Sequence, residues 1–249
     1  DDPGIYFFRK QSPLSQEGDI LYVGKATSLR DRVRSYFASD LFATRGPLLV
    51  KMVDEATTIT WSKTDSVLEA LILEAYTIKE HLPIYNSKEK DNKSFNFVVI
   101  TDEDYPRVLI ERGRTLATKE AVIDGVPPRS IFGPFPHGTQ LREAVKIVRK
   151  IFPFRDKCIP VAELPANKKT KACFNRQIGL CPGVCTGEIT QTEYKKLIRN
   201  IELFFMGKKS QITKNLEAEM KVYAKAKEFE KAEIIKKRIF ALNLSLIHI

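Results

Sequence analysis

Two short segments near the start of the chain constrain its fold more than any other feature. Gly4–Arg9 and Asp19–Val23 are rich in aromatic and branched residues and are typical of β-strands. The polar stretch Lys10–Gly18 between them contains a Ser-Pro pair, so it predicts a hairpin loop that is longer than most. A hairpin of this kind must bury one face against further elements, which predicts a sheet packed on another layer.

Helical and strand patterns then alternate along the chain. Apolar residues recur at helical spacing over 27–37, Pro47 is placed to open a second helix, and residues 57–63 form a β-branched strand pattern. The clearest helix is predicted over 65–80. This interleaving predicts the α+β fold class, with a small mixed-sheet domain over residues 1–97.

The middle of the chain carries fewer periodic segments. Residues 95–100 and 107–112 alternate as strands, the Pro and Gly residues at 133–136 predict a break, and a helix is expected over 139–151.

These patterns divide the remainder into two predicted parts. Residues 98–189 are expected to be a linker with a Cys-rich, loop-rich region. Residues 190–249 are expected to be helical, and their last two helices form a hairpin over 212–242.

Composition limits the function classes. Hydrophobic residues make up 43% of the chain, enough for a buried core, and no apolar run is long enough to predict a membrane span. The formal charge of +10 favours polyanionic partners such as nucleic acid, although a merely soluble basic protein remains an alternative. The start shows no signal peptide and no initiator Met, so we expect a cytoplasmic protein and a fragment of a longer gene product.

One ordered set of side chains in the first part of the chain has the chemistry of phosphodiester hydrolysis. Phenols, a lysine, a guanidinium and one carboxylate can orient water, hold phosphate oxygens and bind a single divalent metal ion. The carboxylate offers a hard oxygen ligand suited to Mg²⁺, and Mn²⁺ is the alternative. The candidate catalytic residues are Tyr6, Tyr22, Lys25, Arg32, Tyr36 and Asn86, with Glu74 as the metal ligand.

All four cysteines of the chain lie close together in sequence, which favours a metal or cluster site over scattered disulfides. Four thiolates can hold a tetrahedral Zn²⁺ or a [4Fe–4S] cluster, and the spacing does not separate the two. Four free structural thiols are the remaining alternative. The candidate ligands are Cys158, Cys173, Cys181 and Cys185.

Several of these segments resemble the UvrC family of bacterial nucleotide excision repair. They are PGIYFF, LYVGKATSLRDRVRSYF, LEALILEAYTIKEHLPIYN and KDNKSFNFVVIT. The resemblance implies a GIY-YIG nuclease domain, whose second motif appears here as Tyr22-Val23-Gly24, with valine in place of isoleucine. It also implies that Tyr6 is the general base or a partner of it close to Tyr22.

The same resemblance assigns roles to the other candidates. Lys25 and Tyr36 would contact phosphate or orient water, Arg32 would bind nonbridging oxygens, and Asn86 would support the site.

The resemblance extends to the rest of the chain. The segment ACFNRQIGLCPGVCTG is similar to the family's cluster-binding region, which implies an iron–sulfur cluster, with zinc as the alternative. Residues 217–239 resemble the UVR hairpin, which implies that the chain binds UvrB through it and UvrA indirectly.

These similarities predict an endonuclease that incises damaged double-stranded DNA on the 3′ side of a lesion after loading by UvrA and UvrB. The RNase H-like half that the family uses for 5′ incision is not in the sequence. The alternatives are a shortened repair nuclease related to Cho, a homing or restriction GIY-YIG enzyme, and a non-catalytic module that only recruits UvrB. The cysteine cluster and the UVR-like hairpin argue against the homing and restriction enzymes.

Overall fold

The computed structural model describes residues 1–12, 15–87, 95–116, 122–165 and 171–244. These residues fall into two compact units, 1–87 and 95–243. The tip of the predicted hairpin loop at Pro13 and Leu14, and the start of the KDNKSFNFVVIT segment, lie outside the described residues. Among the described helices, none combines the length and the apolar character that a membrane crossing requires.

A three-stranded antiparallel sheet organises the first unit. Its strands are β1 (Gly4–Ser12), β2 (Ser15–Ala26) and β3 (Thr58–Lys63), in the order β2-β1-β3. β1 and β2 are longer than the sequence predicts, because their pairing continues through residues that were expected to be loop. The ladder depends on backbone groups, so polar side chains do not prevent it.

Five α-helices complete the first unit within the described residues. The predicted helix over 27–37 is shorter than expected, since a 3₁₀ turn over Ser35–Phe37 follows its last α-helical residue. The clearest predicted helix is capped by Ser66 and ends at Leu82, which has a left-handed backbone with φ 47°. The helices are α1 (Leu29–Arg34), α2 (Leu41–Arg45), α3 (Pro47–Glu55), α4 (Val67–His81) and α5 (Ile84–Ser87).

The core of the first unit contains the polar residues of the predicted site as well as apolar ones. Tyr6 and Phe8 on β1 are fully buried, and Tyr36 is only 1% exposed. They pack with Met52 of α3 and Leu29 of α1 in one hydrophobic cluster. The site tyrosines are therefore held by the same packing that stabilises the domain.

A second three-stranded antiparallel sheet begins the second unit. Its strands are β4 (Asn96–Thr101), β5 (Val108–Arg112) and β6 (Pro128–Phe135), in the order β5-β4-β6. The sequence predicts the first two but not β6, where it predicts a break at 133–136. An edge strand tolerates proline because one side of its backbone needs no partner, and the Gly133–Pro134 bond is cis.

Helices make up most of the rest of the second unit. A capping box formed by Thr190 and Glu193 starts the helix over Gln191–Phe205, and a tight turn with Lys227 in a left-handed conformation separates the last two helices. The helices are α6 (Gly113–Leu116), α7 (Gly138–Ile151), α8 (Phe174–Gln177), α9 (Gln191–Phe205), α10 (Lys209–Lys225) and α11 (Phe229–Leu244). The predicted α+β fold class is confirmed, and the functional boundaries at 97 and 189 stay predictions.

A partly buried ion network joins the sheet of the second unit to the segment before the first cysteine. Arg155, which is 4% exposed, pairs with Glu103 and donates from Nη1 to the carbonyl of Cys158 at 2.6 Å. Arg107 Nε also donates to Glu103, at 2.8 Å. Burial alone would raise the pKa of Glu103, but the bonds from Thr101 and Arg107 and the charge of Arg155 lower it overall.

Candidate active site

Strand register brings the two tyrosine segments together. β1 and β2 pair with Tyr6 opposite Gly24 and Phe8 opposite Tyr22. A Cβ atom on Gly24 would lie 2.3 Å from Tyr6 Oη and 2.4 Å from Tyr6 Cζ. Only a residue without a side chain therefore allows the Tyr6 ring to lie across β2 at this point.

Three tyrosine rings form a cluster in the first unit. The ring centroids of Tyr6 and Tyr36 are 5.8 Å apart, and that of Tyr22 lies 6.3 Å from each of them. Tyr6 Oη and Tyr36 Oη share a hydrogen bond of 2.9 Å. Tyr6 is thus near Tyr22, as predicted, but its hydroxyl bonds to Tyr36, which residue spacing in the sequence does not reveal.

Arg32 connects this cluster to the surface. It lies on α1, which Ser28 caps by accepting a hydrogen bond from the backbone of Asp31. Arg32 Nε donates to Tyr6 Oη at 3.2 Å, and its guanidinium carbon lies 5.8 Å from the centre of the Tyr36 ring. One edge of a permanently charged guanidinium is therefore fixed by the buried phenol.

Burial decides the protonation of the phenols. Burial raises the pKa of Tyr6. The neighbouring Tyr36 raises this pKa further, and the positive charge of Arg32 lowers it. Burial also raises the pKa of Tyr22, followed in size by the influence of Tyr6. Both phenols hold their protons at neutral pH, so they act there as neutral hydrogen-bonding groups.

Glu74 lies beside the tyrosine cluster on α4. Its Oε1 accepts a hydrogen bond from the backbone nitrogen of Lys25 at 2.9 Å, and its negative charge contributes to the raised pKa of Tyr22. The side chain is only partly buried, so it can be reached from solvent. A carboxylate fixed by a backbone N–H and next to phenols suits a hard divalent cation that keeps most of its waters.

Asn86 and Lys25 take different positions. The Asn86 side chain accepts from the Val23 nitrogen and donates to the Val23 carbonyl, both at 2.8 Å, and so fixes β2 beside Tyr22. Lys25 lies opposite Ile5 in the β1–β2 ladder, directly next to the Gly24–Tyr6 pair. Successive residues of a strand point to opposite faces of the sheet. The Lys25 side chain therefore leaves β2 on the face opposite Tyr6, and its backbone nitrogen donates to Glu74.

Three of the four cysteines come together in the second unit. The Sγ atoms of Cys158, Cys173 and Cys185 all lie within 4.8 Å of one another, and Cys181 is buried outside that group. The interaction with the Cys181 thiol, followed by burial, raises the pKa of Cys158. The same interaction and the backbone N–H groups of Gly183 and Val184 lower the pKa of Cys181 to about 6, although burial opposes them.

Residues that the sequence does not single out hold the cysteine segments in place. Arg149 of α7 donates to the carbonyls of Leu180 and Phe154, both at 3.0 Å, and to Asp156 at 2.9 Å. Asp156 in turn accepts from Asn175 at 3.0 Å. This network joins segments next to three of the cysteines, and an Arg near a Cys-rich loop gives no sequence signal of such a role.

Three of the four candidate ligands, Cys158, Cys173 and Cys185, are close enough to share one ion or cluster, and Cys181 is not in that group. Sulfur ligands suit both tetrahedral Zn²⁺ and a [4Fe–4S] cluster, and the positions alone do not choose between them. The fixed backbone around Cys158 and Cys181 means that the ligands are held close together by the protein itself.

The apolar side chains of the C-terminal hairpin differ in burial. Ile235 is buried and Met220, Tyr223, Ala232 and Ile239 are partly buried, as an apolar face requires. Phe229 is instead 67% exposed, because it is the first residue of α11, directly after the turn. Large apolar side chains with exposures of 51–67% on this hairpin are Val222, Phe229, Ile234 and Phe240.

Two family models match the chain. Residues 2–87 match the UvrC-like GIY-YIG domain. Residues 95–204 match the middle domain of the UvrC/Cho excinuclease. The first match contains every residue of the candidate active site, and the second contains all four cysteines.

Relatives similar to this chain carry the name UvrABC system protein C. That of Alkaliphilus oremlandii is 36% identical over 244 residues, which are 98% of this chain and 36% of the relative. That of Clostridium perfringens is 37% identical over 245 residues, with the same coverage. The chain thus spans little more than a third of the length of these relatives.

Among solved structures, the chain is similar to the GIY-YIG N-terminal endonuclease domain of UvrC from Thermotoga maritima bound to its catalytic divalent cation, magnesium. The identity is 32% over 34% of this chain and 83% of that one, with a TM-score of 0.29. The two domain matches and the relatives all indicate the same family in the same domain order. The chain therefore carries a UvrC-like GIY-YIG domain followed by a middle domain of the UvrC/Cho excinuclease type.

Proposed function

We propose that the chain is a DNA endonuclease of nucleotide excision repair that hydrolyses one phosphodiester bond on the 3′ side of a lesion. The observation that carries the proposal is the convergence of Arg32, Tyr36 and Tyr6 with Glu74 and Tyr22 within a UvrC-like GIY-YIG domain. A packed core alone would not need a guanidinium and a carboxylate beside three phenols.

The residues of the site divide the chemistry among them. Arg32 is fixed through Nε by Tyr6, so its remaining N–H groups can hold the nonbridging oxygens of a phosphate and stabilise the charge of the transition state. Tyr6 is neutral at pH 7, which favours the second of its two predicted roles, a hydrogen-bonding partner of the general base. Asn86 and Gly24 keep β2 in the position that this contact requires.

Glu74 is the residue that would hold the divalent cation, Mg²⁺ or Mn²⁺. When bound there, such a cation lowers the pKa of its waters and polarises a phosphoryl oxygen. The hydrogen bond from the Lys25 backbone leaves the Glu74 carboxylate oriented without neutralising its charge. Tyr36 orders the hydroxyl of Tyr6, and the predicted direct contact of the Lys25 side chain with phosphate stays a prediction.

The other parts of the chain supply the setting for this reaction. The basic charge of +10 suits damaged double-stranded DNA as the substrate. The hairpin formed by α10 and α11, with its exposed apolar side chains, is the proposed contact for UvrB, and UvrA acts earlier by loading UvrB on the lesion. The four thiols are proposed to bind a [4Fe–4S] cluster, with Zn²⁺ as the alternative, as a structural support for a loop-rich segment.

An incision assay on a duplex with one bulky lesion tests this proposal. The duplex is labelled at one end and incubated with UvrA, UvrB, ATP, Mg²⁺ and the chain. The matched variants are Glu74→Gln, which keeps an acceptor for the Lys25 nitrogen but loses the charge, and Glu80→Gln on the same helix, which is exposed.

We expect one cut on the 3′ side, lost in Glu74→Gln and unchanged in Glu80→Gln. A cut on the 5′ side, or full activity of Glu74→Gln, contradicts the proposal. No cut by a folded chain that still binds UvrB would instead support the non-catalytic recruiting module. The relatives align with 98% of this chain, including the hairpin, which favours a UvrC-type role over a shortened Cho-like nuclease.

A further inference from the structure

A groove on the first unit lies on the other flank of α1 from the candidate active site. It has a volume of about 480 Å³. Leu29 and Val33 of α1 and Ile59 of β3 form its apolar lining, and Trp61 of β3 stands in it with 62% of its surface exposed. A large aromatic side chain left this exposed beside an apolar surface indicates a binding partner.

Two arginines border the same groove. Arg30 and Arg34 are four residues apart on α1, so they lie on one face of the helix, and Arg32 between them faces the opposite flank. Both are exposed, and within the described part of the chain neither makes an ion pair. The lysine in the groove, Lys63, is already paired with Asp2 at 2.5 Å. Asp1 also lines the groove, so the free positive charge comes from the two arginines and is partly offset by this carboxylate.

The groove and the tyrosine cluster of the candidate site share one sheet face. Trp61 pairs with Tyr6 in the β1–β3 ladder, so both side chains leave the sheet on the same side, and paired Cα atoms lie about 5 Å apart. Arg32 reaches Tyr6 on one flank of α1, while Arg30 and Arg34 border Trp61 on the other. A DNA strand whose phosphate is held at Arg32 can therefore pass over α1 and enter the groove.

We propose that this groove binds the nucleotides that flank the phosphate to be cut, with backbone phosphates on Arg30 and Arg34 and a base stacked on Trp61. Arginines beside an exposed aromatic ring are the combination that binds single-stranded nucleic acid without base-specific hydrogen bonds. The inference rests on the proposed function, since it takes DNA as the substrate. It adds that the strand next to the cut is held with its bases unpaired.

The single tryptophan of the chain makes a direct test possible. The full chain is titrated with a single-stranded oligodeoxynucleotide in EDTA, so that binding is measured without cleavage, while the emission of Trp61 is followed. We expect saturable quenching, protection of Trp61 from iodide, and weaker binding as salt is added. A fully paired duplex of the same sequence should quench less.

Variants separate stacking from charge. Trp61→Ala should weaken binding about tenfold, measured by the anisotropy of labelled DNA, and Trp61→Phe should restore most of it. Arg30→Gln with Arg34→Gln should weaken binding and lower the salt slope by about 0.7 for each lost phosphate contact. Phe42→Ala removes an aromatic side chain of similar exposure that lies outside the groove, so it should have no effect.

Three results would overturn the proposal: binding without any change in Trp61 emission, equal affinity of Trp61→Ala and the parent chain, or a Trp61 that iodide cannot reach before DNA is added. The last would mean that another part of the protein fills the groove. Incision in Mg²⁺ without quenching would reject the groove and keep the nuclease. Quenching by a folded chain that never cuts would reject the nuclease and keep the groove.

Discussion

Replacing Gly24 by alanine tests the close approach on which the site geometry depends. The new Cβ would lie 2.3 Å from Tyr6 Oη and 3.0 Å from Tyr22 Cε1, closer than real Cβ contacts allow. The Tyr6 ring is fully buried against Phe8 and Tyr36, so it cannot move away without disturbing them. The substitution must therefore strain β2, displace the ring, or both.

The expected cost follows from these two effects. Forcing extra atoms into a packed core costs about 1–3 kcal/mol. Moving Tyr6 also breaks its hydrogen bond to Tyr36, which contributes about 1 kcal/mol. Gly24→Ala should thus lower the free energy of unfolding of the first unit by about 2–4 kcal/mol. Because Arg32 is anchored on the same hydroxyl, incision should fall as well.

Native-state hydrogen exchange of the β1 and β2 amides in the whole chain measures this cost, since it reports the first unit separately from the second. Thr58→Ala, at an exposed position of β3, is the control and should cost less than about 1 kcal/mol. If the β1 and β2 amides of Gly24→Ala are as well protected from exchange as those of the parent chain, and if the variant cuts DNA at the same rate, the packing argument is wrong.

Three further predictions address other parts of the molecule. Arg32→Lys keeps the charge but loses the planar fork that reaches Tyr6 and phosphate together, so single-turnover incision should fall at least about tenfold with the fold intact by circular dichroism. Glu103 has a lowered pKa, so its stabilisation of the second unit is present above the unfolded pKa of about 4.3 and is lost as the pH falls through the folded value. In urea unfolding, Glu103→Gln should therefore have a lower free energy of unfolding than the parent at pH 6, and the difference should disappear at low pH. A difference that stays the same at all pH values would refute the assignment. Arg149→Ala should reduce the metal or cluster content per chain, because it removes the contacts that hold Leu180 and Asp156, whereas Arg114→Ala, on the short helix α6, should not.

Local patterns predict much of the fold because they depend on neighbours in sequence. The sequence of α4 shows apolar residues at helical spacing and a serine, Ser66, in position to cap the helix. In the structure the helix begins at the next residue, Val67. β6 is missed because its Gly-Pro pair breaks most strands, and only its edge position in the sheet makes it acceptable. That position depends on residues far away in sequence.

The candidate site shows the same limit. Residue types and the family resemblance single out Tyr6, Arg32 and Glu74 as candidates. They do not reveal that Tyr36 is the residue bonded to Tyr6, or that the Lys25 side chain lies on the other face of the sheet, since both depend on register and side-chain direction. Arg149 has no sequence signal at all, because its partners, two backbone carbonyls and the Asp156 carboxylate, are placed by the loop conformation.

The dependence of the incision rate on Mg²⁺ concentration tests the central claim most directly. Single-turnover cleavage of the lesion duplex by the chain, loaded with UvrA and UvrB, is measured for the parent, Glu74→Gln and Glu80→Gln. The account predicts saturation with Mg²⁺ for the parent and Glu80→Gln, and no cleavage by Glu74→Gln at any concentration that saturates them. Cleavage by Glu74→Gln with the parent's Mg²⁺ dependence would contradict the assignment of Glu74 as the metal ligand, and with it the proposed hydrolytic site.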